Sequence, residues 1–145
     1  ANANFIWFQR GFVTGDFLWL DSYINQIWLN SACQFALLNL FANNRSIPYS
    51  AAGNSLIEAA LGEPIRAALN FGACAPGPIS AAQIAAVNAM AGGDVAGTLQ
   101  TQGYYLQINA ATAEVRQSRG SPQMTLWYMD GESIQAITLA SIAVQ

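Results

Sequence analysis

Eight carboxylates, two thiols and five guanidiniums are the reactive side chains of this chain, with no imidazole and no lysine amine among them. Histidine is the usual general base and the commonest metal ligand near neutral pH. Lysine is the usual Schiff-base former and phosphate-loop cation. Their joint absence leaves carboxylate-only chemistry, or Cys and Ser chemistry without a His partner. Asp16, Asp21 and Glu58 are the candidates for a small carboxylate-dependent hydrolase. Such a pair needs a cleft that drives the two pKa values apart. Asp16 and Asp21 instead flank an expected helix start, where acids meet the positive end of the dipole. Glu58 and Glu63 read as solvated helix residues.

Cys33 and Cys74 stand in Ala-rich apolar surroundings and make neither a zinc spacing nor a CxxC pair. They read as buried free thiols, which suits folding in a reducing cytoplasm. The run Gly92-Gly93-Asp94-Val95-Ala96-Gly97 follows a helix and lacks the glycine spacing of a dinucleotide loop. No catalytic, cofactor-binding or metal-ligating set is expected, and the chain reads as no enzyme.

Charge is the scarce quantity. Charged residues make up 9% of the chain, hydrophobic ones 53%, and the formal net charge is −3. An average soluble domain carries roughly 25% charged residues. Nothing here forms a nucleic-acid footprint. Few surface charges favour association, so much of the surface is expected to lie against other copies. The start at Ala1, without Met or signal peptide, reads as a piece of a longer chain.

The elements follow from periodicity. Phe5-Ile6-Trp7-Phe8 reads as a short strand. From Phe17 a helix is expected, with Leu20, Tyr23, Ile24, Ile27 and Trp28 on an apolar face. Asp21, Ser22, Asn25, Gln26 and Asn30 fall opposite, and Asn43-Asn44 is a plausible stop. Residues 22–44 carry no charge, but their amides argue against a membrane span. A buried core helix and no membrane insertion are expected. Ser50 should cap a second helix, broken at Gly62-Glu63-Pro64 and restarting at Pro64 with a Glu63–Arg66 pair. Ser80 and Gln83 form a capping box, and Asp94 is expected to cap a further short helix ending at Gly103.

Beyond Gly103 the period becomes strand-like: Tyr104, Leu106 and Ile108 alternate with Tyr105, Gln107 and Asn109. A bend carrying Arg116 and Arg119 precedes the strand residues 124–129, and Asp130-Gly131 signals a hairpin. Ser133 to Val144 then runs without Gly, Pro or positive charge. A long apolar edge strand invites aggregation unless something pairs with it. Pairing into a neighbouring copy's sheet is the favoured solution. Ser133, Ile134, Ile137, Leu139, Ile142 and Val144 are the candidate interface residues, and Arg45, Arg116 and Arg119 the candidate ionic contacts. The fold class is α+β: a helical N-terminal half (1–103) packed on a small antiparallel meander (104–145), completed by strand exchange with neighbouring subunits.

These residues resemble a known family. Asn4-Phe5-Ile6-Trp7-Phe8-Gln9-Arg10-Gly11 is similar to the N-F-Y-Q-R-G segment of bacteriophage contractile-tail sheath proteins. Ala42-Asn43-Asn44-Arg45-Ser46-Ile47-Pro48-Tyr49, Thr101-Gln102-Gly103-Tyr104-Tyr105-Leu106 and the set Tyr128, Gly131 and Ile134 fit the same pattern. The likeness spans most of residues 1–145 and suggests a single C-terminal sheath-like domain. It implies a structural subunit of the virion tail, assembled in the host cytoplasm into a helical lattice of identical copies. Its other partners would be the tail tube, baseplate and tail terminator proteins. Contraction would drive the tube through the host envelope for genome ejection, with no nucleotide hydrolysed. Another tail or baseplate component sharing the domain is the alternative.

Overall fold

In the computed structural model, which describes residues 13–14 and 18–134, a helical hairpin forms one side of the fold. It consists of α1 (Leu20–Asn43) and α2 (Ala51–Phe71). Leu29 clusters with Ala68, while Leu40 clusters with Ile57, Leu61 and Ile65, so the two helices run antiparallel. Asn44 closes α1 by donating its side-chain amide to Leu40 O at 2.8 Å. Ser50 caps α2 by accepting from Gly53 N at 3.5 Å. Gly72, at φ 88°, ends it in the left-handed region where a side chain is costly.

Several sequence expectations are corrected by the structure, the first of them in α2. Pro64 does not restart a helix: α2 is continuous through it. Pro64 removes one helical hydrogen bond, yet Ile57, Leu61, Ile65 and Ala68 form one buried stripe across it. Burying each of the three larger side chains, Ile57, Leu61 and Ile65, contributes about 1.5–3 kcal/mol, which together outweighs the roughly 3 kcal/mol a proline costs in a helix interior. Exposed Glu63 and Arg66 form no ion pair.

The second correction concerns which side of α1 is inside. Leu29 and Leu40 are buried, and Cys33 and Leu37 pack beside the same clusters. The stripe of Leu20, Tyr23, Ile24, Ile27 and Trp28 faces outward, each residue 41–52% exposed. Asp21, Ser22, Asn25 and Gln26 are half-buried instead. α1 is therefore a half-covered helix and not a buried core helix. None of the described helices is long and apolar enough to cross a membrane.

Next come α3 (Ala81–Ala91) and α4 (Ala96–Gln102). The Ser80–Gln83 capping box is present: Gln83 N donates to Ser80 Oγ at 3.3 Å, and Ser80 N donates to Gln83 Oε1 at 3.1 Å. Asp94 does not cap α4. Asn88 Oδ1 takes that role, accepting from Val95 N at 3.0 Å and Ala96 N at 3.2 Å. Asp94 accepts from Asn88 Nδ2 at 3.1 Å and so orients the capping amide.

Strand β1 (Tyr104–Ile108) pairs antiparallel with β2 (Met124–Tyr128), with Tyr104 opposite Tyr128 and Ile108 opposite Met124. The expected bend between them contains a helical turn, α5 (Ala113–Gln117), capped by Thr112. Alternation sends Tyr104, Leu106, Ile108, Met124 and Leu126 towards the α1–α2 hairpin. Tyr105, Trp127 and Met129 face Ala91, Val95 and Leu99 of the α3–α4 region. The ribbon thus lies between two helical layers, the α+β arrangement expected.

Asp130-Gly131 is not a hairpin turn. Asp130 bridges Cys74, and Gly131 N donates to Ala73 O at 3.1 Å. Gly131 comes so close to Gly72 O that no Cβ fits between them. The expected strands at Phe5–Phe8 and 135–144 lie outside the described residues, as does Asp16.

Gly131→Ala should push the end of β2 off the end of α2 and lower stability by about 1–3 kcal/mol, the range for overpacking. A denaturant midpoint equal to that of the parent protein would contradict this close approach.

Candidate functional site

Three features of the described surface stand out from its scarcity of charge. The first is a groove of about 530 Å³ between the α1–α2 connection and the segment around α5. Leu37, Phe41, Ile47, Pro48, Ile57 and Met124 supply apolar lining, with Arg116 and Arg119 on one side. Local hydrogen bonds build that arginine wall. Thr112 Oγ1 accepts from Val115 N at 3.3 Å, starting α5, and Gly120 N donates to Val115 O at 2.9 Å, closing it. Arg119 takes φ 55° to make this turn.

Tyr49 ties the wall to the helical hairpin. Its hydroxyl donates to Gly120 O at 2.6 Å, and its ring lies 6.0 Å from the Arg116 guanidinium. That distance is the outer limit of a cation–π contact. Arg116 Nε also donates to Ala111 O at 3.2 Å. Arg116 and Arg119 are exposed, and no ion pair joins them to a described carboxylate. Arg45 is exposed too but does not line the groove. The structure therefore groups two of the three candidate ionic residues and leaves the third apart.

The second feature is the sheet. Both faces of the ribbon are covered, and among the described residues it has two strands, so each strand has an outer edge. Beyond β2, Ser133 and Ile134 are exposed, Ile134 by 82%. Ile137, Leu139, Ile142 and Val144 lie outside the described residues. The third feature is the apolar outer face of α1, continued by Phe35, Leu38 and Phe41 at 65–67% exposure. The periodicity of α1 gave this outer stripe as its apolar face, whereas α2 packs on the side of Leu29, Cys33, Leu37 and Leu40.

The described candidate catalytic groups, Asp21 and Glu58, do not converge. Asp21 lies in the first turn of α1, which packs near the end of α2, whereas Glu58 is exposed near the start of α2. Among the described residues no three His, Cys, Asp or Glu side chains are grouped to hold a metal ion. Cys33 and Cys74 are free thiols in one cluster with Leu29 and Ala68. Burial pushes the Cys74 thiol up to about 11, with Asp130 and then Cys33 adding to the effect. Burial also raises Cys33. Both therefore stay protonated at neutral pH, when a nucleophile would need the thiolate.

Two outcomes follow from these contacts. The ordinary Cys74 value of 9.0 rises to about 11 on folding, so above pH 9 the unfolded chain binds fewer protons than the folded one. Stability should hold up to about pH 8.5 and fall through the window from 9 to about 11. Replacing Cys74 with Ala should flatten that decline in a series of denaturation curves. Tyr49→Phe should cost about 1 kcal/mol and speed tryptic cleavage at Arg116 and Arg119. An unchanged cleavage rate would mean that the Tyr49 hydroxyl does not hold the wall.

A family model described as "E217 tail sheath protein gp31-like, C-terminal domain" matches residues 20–143. A comparison with curated proteins gives no match.

Proposed function

This chain belongs to the E217 tail sheath protein gp31-like C-terminal domain family, a structural part of a phage tail sheath, and we propose that it polymerises through strand exchange into a contractile lattice. The observation that carries this reading is the ribbon of β1 and β2. Helices occupy both of its faces, so growth of the sheet is open only at its edges. A strand added there gains main-chain hydrogen bonds without displacing any packed side chain. The segment Ser133–Gln145 is the proposed donor, with Ile134, Ile137, Leu139, Ile142 and Val144 as its apolar positions. It starts just beyond β2, so it can leave one copy and reach the sheet of the next.

In this reading the copies surround a tail tube, with baseplate and terminator proteins at the ends of the lattice. Contraction drives the tube through the host envelope, and assembly takes place in the host cytoplasm. Exchanged strands keep copies linked while other contacts break and re-form between the two lattice states. Arg45, Arg116 and Arg119 are proposed for those exchangeable contacts. The role is mechanical and needs no turnover. The protonated thiols and the separated Asp21 and Glu58 support a non-enzymatic reading.

Deletion of residues 133–145 should leave the helical circular dichroism signal intact and abolish polymers seen by negative-stain electron microscopy. Polymers of undiminished length from the truncated chain would overturn strand exchange.

A further inference from the structure

The arginine groove has a counterpart at the opposite end of the same elements. Asp21 and Glu132 line a cleft of about 350 Å³ together with Trp19, Ser22 and Ser133. Asp21 is at the start of α1, whereas Leu37 and Phe41 of the arginine groove lie towards its end. β2 runs the other way: Met124, its first residue, lines the groove, and Glu132 follows its last. From Asp21 to Phe41 a helix rises about 30 Å at 1.5 Å per residue. One end therefore carries two guanidiniums beside apolar lining, and the other carries two carboxylates beside an exposed isoleucine.

Among the described residues no opposite charge lines either site. At the arginine end Glu114, in the first turn of α5, is exposed but does not line the groove. At the acidic end Asp130 adds a third carboxylate, which accepts from Glu132 N at 3.4 Å. No ion pair joins described residues at either end. In a chain with so few charges, two like-signed clusters at opposite poles make each pole complementary to the other pole of a second copy.

We infer that copies of this chain dock head to tail, the Glu132–Ile134 segment of one entering the Arg116–Arg119 groove of the next. Glu132 and Asp21 face the guanidiniums, and Ile134 meets the apolar lining. The interface is heterologous: each copy offers a groove at one end and a plug at the other, so the contact repeats into rings or helical filaments and does not stop at a dimer. This inference rests on the self-assembly proposed above and adds to it a contact distinct from strand exchange. It also gives two of the three proposed ionic residues, Arg116 and Arg119, a defined partner.

Charge reversal at two exposed positions tests the pairing. Arg119→Glu leaves a carboxylate facing the partner's Glu132, and Glu132→Arg leaves a guanidinium facing the partner's Arg119. Each single variant of the full chain should associate at least tenfold more weakly than the parent in sedimentation at low ionic strength. An equimolar mixture of the two restores complementary charge at every heterotypic contact. It should recover association to within about threefold, as should the double variant R119E/E132R. Circular dichroism monitors folding, and the milder R119Q and E132Q should weaken association less and reduce its dependence on salt. Association of the single variants at the parental level would overturn the head-to-tail pairing and leave self-assembly standing. A mixture no better than its components would do the same. A parent protein that stays monomeric would overturn both.

Discussion

Everything in this fold is arranged around a two-stranded ribbon that could not stand alone. A pair of five-residue strands is marginal in water unless something covers it. Here helices pack against both faces, leaving the strand residues half-buried. Leu106 and Leu126 face the stripe of Leu40, Ile57, Leu61 and Ile65, while Tyr105 and Trp127 face Ala91, Val95 and Leu99. Covering both faces orients the ribbon and holds its register. It also directs any further pairing to the two outer edges that the ribbon has among the described residues. In a monomer built to stay alone, charge or proline would blunt such edges. β1 and β2 contain neither.

The same economy governs the outside. An exposed stripe from Leu20 to Trp28, continued by Phe35, Leu38 and Phe41, is much larger than the scattered apolar residues of an ordinary surface. Its counterpart is the near absence of charge, with 9% of residues ionisable as Asp, Glu, Lys or Arg. A lone copy would be poorly protected from non-specific association. In a lattice the few charges matter for direction, because each one brought against a copy competes with few others. Concentrating Arg116 and Arg119 at one pole and Asp21 and Glu132 at the other then gives a contact direction as well as a contact.

Local chemistry was legible in the sequence, and three-dimensional choice was not. The Ser80–Gln83 box, the Ser50 cap and the stop at Gly103 depend on residues within a turn of each other, and all of them form. The alternation of β1 was readable for the same reason. Where two local answers competed, the deciding residue lay far away. α1 carries an outer stripe from Leu20 and an inner one through Leu29, Cys33, Leu37 and Leu40, and α2 selects the second. Pro64 looked like a break until its neighbours formed one buried stripe. Asp94 looked like a cap, but Asn88 reaches the same N–H groups from the previous helix. The arginine wall was visible as a concentration of charge. Its anchor was not, because Tyr49 and Gly120 are 71 positions apart.

In the proposed contractile lattice the strand edges and the poles serve different needs. Main-chain pairing is indifferent to side-chain identity and holds as long as the strand stays in register, so it suits a link that persists. A guanidinium–carboxylate contact at a solvated rim is weak, on the order of 0–1 kcal/mol, and can be remade with a different neighbour at little cost. Tyr49 fixes the arginine wall to the helical hairpin, so that wall moves with the core. Ile134, by contrast, stands where the chain leaves β2 for the proposed exchange strand. Placing the acidic plug at the root of that strand puts the breakable contact next to the lasting one. In the proposed contractile lattice, a copy released from its groove would then stay tethered to its neighbour.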